Sequence, residues 1–187
     1  QYVNFVLLNF GSTDDLHDFV ESELKEEVKS GVIKYFKCSA DGWHASKAKN
    51  LAHAVADGFV LFNLDCDNLI SIELCDKLLE IFDEHTDSVV FNADKPGKQF
   101  KKDGIVYNGN GTGGRIAMTA KNFFVLGGYD ENMSCMGYQD NDLIHRGEAF
   151  GLRLIRLRSH AEAFPHQKCL AMGINLDEWQ KMDSQNE

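Results

Sequence analysis

Apolar positions along the chain fall alternately into short continuous runs and into stripes of helical period. Residues 3–10, VNFVLLNF, form an apolar run of strand length closed by the turn Gly11-Ser12-Thr13. Leu16, Phe19, Val20, Leu24 and Val28 then recur at helical spacing, with Asp14 or Asp15 available as the cap and Gly31 as the stop. VIKYFK (32–37) reads as a second strand, and Ala45, Ala48, Leu51, Ala52, Val55 and Ala56 line one face of a second helix that Gly58 ends. FVLFNL (59–64) is apolar without alternation, the pattern of a central parallel strand buried on both faces. Ser71 caps a helix running to about Glu84, and SVVFNA (88–93) is a fourth strand.

The second half has a different texture. Residues 94–114 are polar and glycine-rich and predict a long loop with a short strand at Ile105-Val106-Tyr107. RIAMT (115–119) predicts a strand, AKNFFVLGG (120–128) a short helix, Gln139 to Phe150 another helix, and LRLIRL (152–157) a late strand. After Ser159 no period is visible. Repeated strand–helix–strand units predict one α/β domain over 1–187, a mostly parallel sheet flanked by helices, with a regular half (1–93) and an irregular half (94–187). The length suits a single core.

Charge removes some partners. The net charge is −10, which argues against nucleic acid, because phosphate-backbone binding needs a basic face. No apolar stretch approaches the roughly 20 residues of a membrane span. Five cysteines at irregular spacing form no CxxC pair, the pattern of a reduced chain and hence of a cytoplasmic setting. The chain opens on Gln1 and is already in a strand by residue 3, which reads as a fragment of a longer protein.

The chemistry concentrates at strand ends. "FNLDCDN" (62–68) sets Asp65 and Asp67 straight after an apolar strand, where desolvated carboxylates need a partner. With 17 Asp in the chain, chance alone supplies Asp-x-Asp pairs, and two occur, at 65/67 and 140/142, so context must decide. In open α/β sheets ligands bind beyond the carboxyl ends of strands, which places Asp65, Asp67 and the "NFGSTDD" turn (9–15) at one crevice. A divalent cation held by oxygen ligands answers the charge question, and a turn or N-cap role answers it without one.

Taken together, "GSTDD" (11–15), "ASKAKNLAHAVADGFVLFNLDCDN" (45–68) and "GGRIAMTAKNFFVLGGYDENMSCMGYQDNDLIHR" (113–146) resemble the nucleotide-sugar-dependent glycosyltransferases of the GT-A fold. The likeness is to family-two-like enzymes with a galactosyltransferase-type carboxyl-terminal motif, and its motifs follow the family's order across residues 9–146. The resemblance implies transfer of a sugar from a UDP-sugar to a hydroxyl of a carbohydrate or other acceptor, metal-dependent and inverting. It implies Mn²⁺ or Mg²⁺ held by Asp67, with Asp65 toward the ribose or a metal-bound water and His166 (before His160) completing the site from the tail. Asn9 stands where the family usually has Asp, facing the uracil, with Gly11, Ser12 and Asp14 closing around the donor. "SKAKN" (46–50) carries Lys49 where the family has Arg, losing a bidentate fork, and Asn50 beside it; both point to phosphate or ribose. Gly113 and Gly114 let backbone approach the donor sugar. Asp140 matches the catalytic base, Gln139 stands where Glu is common, and Tyr138, Gln139 and Asp142 fall on the acceptor side. Asp142 is equally suited to capping its helix or holding Arg146. The family's usual first strand, ahead of the GSTDD turn, is missing from this sequence.

Two other readings remain open on the sequence. A non-catalytic sugar- or nucleotide-binding domain, descended from such an enzyme, would keep the fold and lose turnover. A metal-dependent nucleotidyltransferase would also pair Asp residues on an α/β sheet, but it wants a glycine-rich basic loop near the amino terminus, and none is present.

Overall fold

The computed structural model describes residues 3–66, 68–92, 97–102, 105–109, 114–133 and 138–157. Asp67, Gly113 and His166, singled out above, lie outside the described residues, as does the rest of the tail after 157.

The alternating pattern folds as it reads. β1 (Phe5–Phe10) leads into α1 (Leu16–Glu23) and α2 (Lys25–Ser30), then β2 (Ile33–Cys38), α3 (Ala45–Ala54), β3 (Val60–Phe62), α4 (Ile72–Glu84) and β4 (Ser88–Asn92). The stripe from Leu16 to Val28 is thus two helices broken at Leu24, with Gly31 closing the second. Ser71 caps α4 by accepting the Leu74 N–H at 3.3 Å. Residues 97–109 hold a hairpin, β5 (Gly97–Lys102) and β6 (Ile105–Gly109), where the sequence predicted a loop with one short strand. Its glycines and lysines give it little β-propensity, so the backbone ladder rather than the pattern defines it. β7 (Ile116–Thr119), α5 (Ala120–Val125), α6 (Gln139–Phe150) and β8 (Arg153–Leu157) complete the described elements.

β1 and β2 pair in parallel, Phe5 opposite Ile33 through Phe10 opposite Cys38. A second sheet runs β3-β7-β4-β8, with β7 antiparallel to both neighbours and β8 parallel to β4. The run 59–64 therefore yields a three-residue strand with an antiparallel partner. Only Leu61 of that strand is buried, and Phe59 stays largely exposed, so continuous apolarity overstated its depth.

The core follows from the two-residue period of β4 and β7. Val89, Ile116 and Met118 face α5 and α6, meeting Phe123, Tyr129, Leu143 and Ile144. Val90 and Ala117 face the other way, against Leu78, Ile81 and Phe82 of α4. Helices on both faces of a sheet make an α/β/α sandwich, the predicted class. Among the described residues no helix is long and apolar enough to cross a membrane.

Candidate active site

The site begins where β3 stops. The Asn63 N–H bonds the Ile116 carbonyl at 2.8 Å, extending the β3–β7 ladder by one step. Its side-chain amide then donates to the Gly114 carbonyl at 2.7 Å and to Asp65 Oδ1 at 3.1 Å. A buried Asn thus aims the Asp65 carboxylate. Gly114 matters by what it lacks, since a β-carbon there would overlap that carboxylate. The chain beyond Asp65 is fixed as well. The Asn68 N–H bonds the Asp65 carbonyl at 2.9 Å, and the buried Arg115 guanidinium donates to Asn68 Oδ1 at 2.7 Å and to the Leu69 carbonyl.

Lys49 arrives from α3. His44 starts that helix, its Nδ1 accepting the Lys47 N–H at 3.3 Å while its Nε2 lies 3.2 Å from the Glu131 carbonyl. One ring nitrogen faces a donor and the other an acceptor, so the neutral Nε2–H tautomer serves both. One turn on, the Lys49 ammonium reaches Asp140 Oδ1 at 2.9 Å and Asp65 Oδ1 at 3.4 Å, and stands 5.1 Å from the centre of the Tyr129 ring. Burial alone would lower its pKa; the Asp140 carboxylate, then Tyr129 and Asp65, outweigh it and hold the group above the ordinary lysine value. Lys49 is therefore a fixed positive charge between two carboxylates brought together from β3 and α6.

Asp140 lies in the first turn of α6, where the helix dipole favours a carboxylate. Tyr138, just before the helix, has φ 60°, a left-handed conformation that costs a non-glycine residue about 1 kcal/mol. That turn delivers Gln139 into the interior and leaves Tyr138 partly exposed. Asp142 faces elsewhere. Arg146 Nε and Nη2 reach Asp142 Oδ2 at 2.8 and 2.7 Å, and the same guanidinium donates to the Leu126 and Gly128 carbonyls at 2.8 and 2.7 Å. Of the roles open to Asp142, the one seen here is to hold the arginine that ties α6 to the end of α5.

Asn50 is committed to backbone. Its Oδ1 accepts the Tyr129 N–H at 2.8 Å, and its Nδ2 donates to the Tyr129 carbonyl and to Glu131 Oε1, each at 2.9 Å. Gly128, at φ +69°, makes this possible: a β-carbon there would sit 2.5 Å from Asn50 Oδ1. Tyr129 is thereby clamped, its ring packed edge-on to Phe123 and His53. Burial, as the largest cause, raises the pKa of its phenol.

At the end of β1, Asn9 is buried and doubly used. Its Oδ1 accepts the Ser12 N–H at 2.8 Å, and its Nδ2 donates to the Tyr35 hydroxyl at 3.1 Å, which lies 3.3 Å from His17 Nδ1. Since the Tyr35 oxygen accepts from Asn9, its own proton is free to go to His17. Gly11 packs against the Ala40 backbone, and Asp14 Oδ1 accepts the Leu16 N–H at 3.2 Å at the start of α1. Trp43 is half exposed and meets Phe10 edge-on. Sequence reasoning passed over Asn63, Tyr129 and Arg115. An Asn that ends an apolar strand was a usable signal for the first; the other two are set by tertiary contacts across 46 or more positions.

Among the described residues no group of three or more His, Cys, Asp or Glu could hold a metal ion. Asp65 is the one carboxylate of the Asp65-x-Asp67 pair within the described residues, and it already pairs with the Lys49 ammonium at 3.4 Å. An all-oxygen partner of this kind suits Mn²⁺ or Mg²⁺.

The arrangement joins a carboxylate at a helix start, a cation and a second carboxylate just past a strand end. Known proteins share the fold. GalNAc-T7, solved with UDP, GalNAc and Mn²⁺, superposes with a TM-score of 0.62 at 16% identity, over 83% of this chain and 36% of that one. The mannosyltransferase PcManGT of Pyrobaculum calidifontis, solved with GDP-Man and Mn²⁺, gives 0.62 at 17% over 83% and 46%. S. aureus TarS 1–349 with UDP-GlcNAc gives 0.66 at 13% over 97% and 55%. The chain thus spans from about a third to just over half of these structures' length. No curated protein sequence matches the chain. The sequence model described as "Glycosyl transferase family 2" matches residues 2–148, most of the chain, and with the fold this makes it a GT-A glycosyltransferase domain of that family.

Proposed function

We propose that the chain transfers a sugar from a UDP-sugar to an acceptor hydroxyl, with inversion and with a divalent metal, and that Asp140 is the base. The observation that carries this reading is the Lys49 bridge, which sets Asp140 and Asp65 within 2.9 and 3.4 Å of one ammonium. Three solved structures of similar fold, bound to UDP, GDP-Man or UDP-GlcNAc, support the donor class.

In this reading Asp65, with Asp67 and His166, holds Mn²⁺ or Mg²⁺, which when bound neutralises the donor diphosphate. The chain's own residues do the rest. Asn9, Gly11, Ser12 and Asp14 form the wall beside the base and ribose, and Asn50 braces Tyr129. Lys49 pairs with the diphosphate, and Gly113 and Gly114 leave room for the donor sugar. Tyr138 faces the acceptor with Gln139 packed behind it, and Asp142 orders that side through Arg146. Asp140 accepts the acceptor hydroxyl proton as that oxygen bonds to the anomeric carbon from the face opposite the nucleotide. The bond from the anomeric carbon to the β-phosphate oxygen breaks, and UDP departs with its electron pair. A positioned base of this kind is worth roughly 10²–10⁴ in rate.

Two measurements test the reading. UDP is expected to raise the melting temperature with Mn²⁺ or Mg²⁺ and not in EDTA, because a ligand that binds only the native state stabilises it by mass action. Asp67→Ala should abolish that gain. Across a panel of nucleotide sugars with Mn²⁺, a UDP-sugar should be consumed with transfer to an acceptor. Equal UDP binding in EDTA and in metal removes the metal from the reading, and a panel with no turnover leaves a binding domain.

A further inference from the structure

Buried polar groups in folded proteins find partners, and an exception calls for an explanation. The Tyr129 hydroxyl is such an exception. It is buried, no partner among the described residues meets it in good hydrogen-bond geometry, and its polar neighbour is Asp140, whose partner Lys49 stands 5.1 Å from the centre of the Tyr129 ring. A phenylalanine would fill the same volume without leaving an oxygen unsatisfied. The surroundings do not let the hydroxyl drift. Asn50 grips the Tyr129 backbone through both its N–H and its carbonyl, Gly128 permits that grip, and Phe123 and His53 wedge the ring. The fold spends three side chains and a glycine on holding a phenol next to the carboxylate read above as the base.

Lys49 pairs with the same carboxylate. An arriving diphosphate carries the greater charge and competes with Asp140, 2.9 Å away, for the Lys49 ammonium. When Lys49 turns to the ligand, Asp140 loses its partner at the moment it must point at the acceptor. The geometry points to Tyr129 as a positioning residue of the transfer reaction, whose hydroxyl takes over the Asp140 carboxylate when Lys49 leaves it for the donor diphosphate. A hydroxyl donor suits the task better than a second cation. It orients the carboxylate and leaves the other oxygen free to accept a proton, without adding charge beside the donor. The proposal rests on Asp140 being the base, and it assigns Tyr129 a role in turnover and none in donor affinity.

The test uses the full chain in four forms: native, Tyr129→Phe, Asp140→Asn and the double variant. Transfer from a UDP-sugar is measured with Mn²⁺, beside melting temperature and UDP titration. Tyr129→Phe should lower kcat about tenfold with donor KM and UDP affinity held within about twofold, and with a melting temperature unchanged or raised. In the Asp140→Asn background the same change should shift kcat by less than about twofold. Lys49→Met, by contrast, should weaken UDP binding. A slow Asp140→Asn beside a full-speed Tyr129→Phe overturns this proposal alone, whereas an Asp140→Asn as fast as native overturns the base assignment and this proposal with it. A Tyr129→Phe loss of UDP affinity matching that of Lys49→Met makes the hydroxyl a piece of donor wall and likewise overturns it.

Discussion

The two sheets are built by different means. In β7 all four residues are buried, and β4 and β7 send apolar side chains into packed clusters on both faces. In β1 and β2 the buried residue is Asn9, a polar one, and their apolar side chains are half buried or exposed. The larger sheet is held by interdigitated hydrocarbon, each fully buried Leu, Ile or Phe contributing about 1.5–3 kcal/mol. The end of the smaller sheet is held by a polar relay from Ser12 through Asn9 and Tyr35 to His17. Both sheets present candidate site residues at the carboxyl ends of strands, but only the larger one builds a charged cluster there. In the function proposed above, this difference is a division of labour: the apolar sheet fixes charges where a bond is made and broken, and the polar turn shapes itself around a ligand.

If that division holds, the largest effect should come from a change that alters no packing. Asp140→Asn keeps the shape of the side chain and its place in the first turn of α6, and it cannot take a proton. Transfer is expected to fall roughly 10²–10⁴-fold with UDP binding near native. Native turnover in this variant would move the chemistry out of the cluster and dissolve the contrast between the sheets.

Stability sharpens the comparison next. Gly128→Ala places a methyl 2.5 Å from Asn50 Oδ1 at a φ of +69°, and so strikes the clamp on Tyr129. A left-handed alanine combined with a broken hydrogen-bond pair should cost about 2–3 kcal/mol, a drop of several degrees in melting temperature for a chain of this size. Asn9→Ala, in the polar relay, removes two hydrogen bonds and leaves the Ser12 N–H and the Tyr35 hydroxyl to seek water. About 1–2 kcal/mol is expected, with UDP affinity lowered more than stability explains. If Asn9→Ala costs more stability than Gly128→Ala, the smaller sheet is the better braced of the two.

The comparison also explains what the sequence could and could not disclose. Strand and helix positions from residue 3 to residue 92 were legible because period and caps are local: Ser71 before α4 and Gly31 after α2 are read without knowing the fold. The α/β class followed from the strand–helix alternation, and the family from motif order. The hairpin at 97–109 was missed because Gly, Lys and Asn carry no alternating apolar signal. At the site, Asp65, Lys49 and Asp140 were legible as candidates from residue type and position. Their convergence on one ammonium was not, since it joins residues 91 positions apart. Asn50 and Asp142 show the limit from the other side. Both stand within motifs, and in the fold they hold Tyr129 and Arg146, contacts that no local pattern encodes.

The smallest effect concerns pH and belongs to the larger sheet. His53 is buried under the Lys49 turn of α3, its Nδ1 2.7 Å from the Lys49 carbonyl and its ring stacked 4.5 Å from Phe123. A carbonyl only accepts, so Nδ1 carries the proton of the neutral ring. Burial is the main cause that pushes the pKa of His53 below its ordinary 6.5; the Lys49 carbonyl opposes this, and the Lys49 charge adds to it. The folded state therefore takes up the second proton less readily than the unfolded chain. Stability from this residue is complete above about pH 6.5 and is lost as pH falls through the lowered value, by no more than about 1.4 kcal/mol per pH unit. His53→Phe keeps the stack and removes the titration, so its melting temperature should decline less between pH 7.5 and 5.5 than the native chain's. Equal declines would show that His53 takes up its proton as readily in the folded chain as in the unfolded one. A smaller decline in the variant would make the histidine beneath Lys49 a measurable part of what keeps a single positive charge, and not two, beside Asp140.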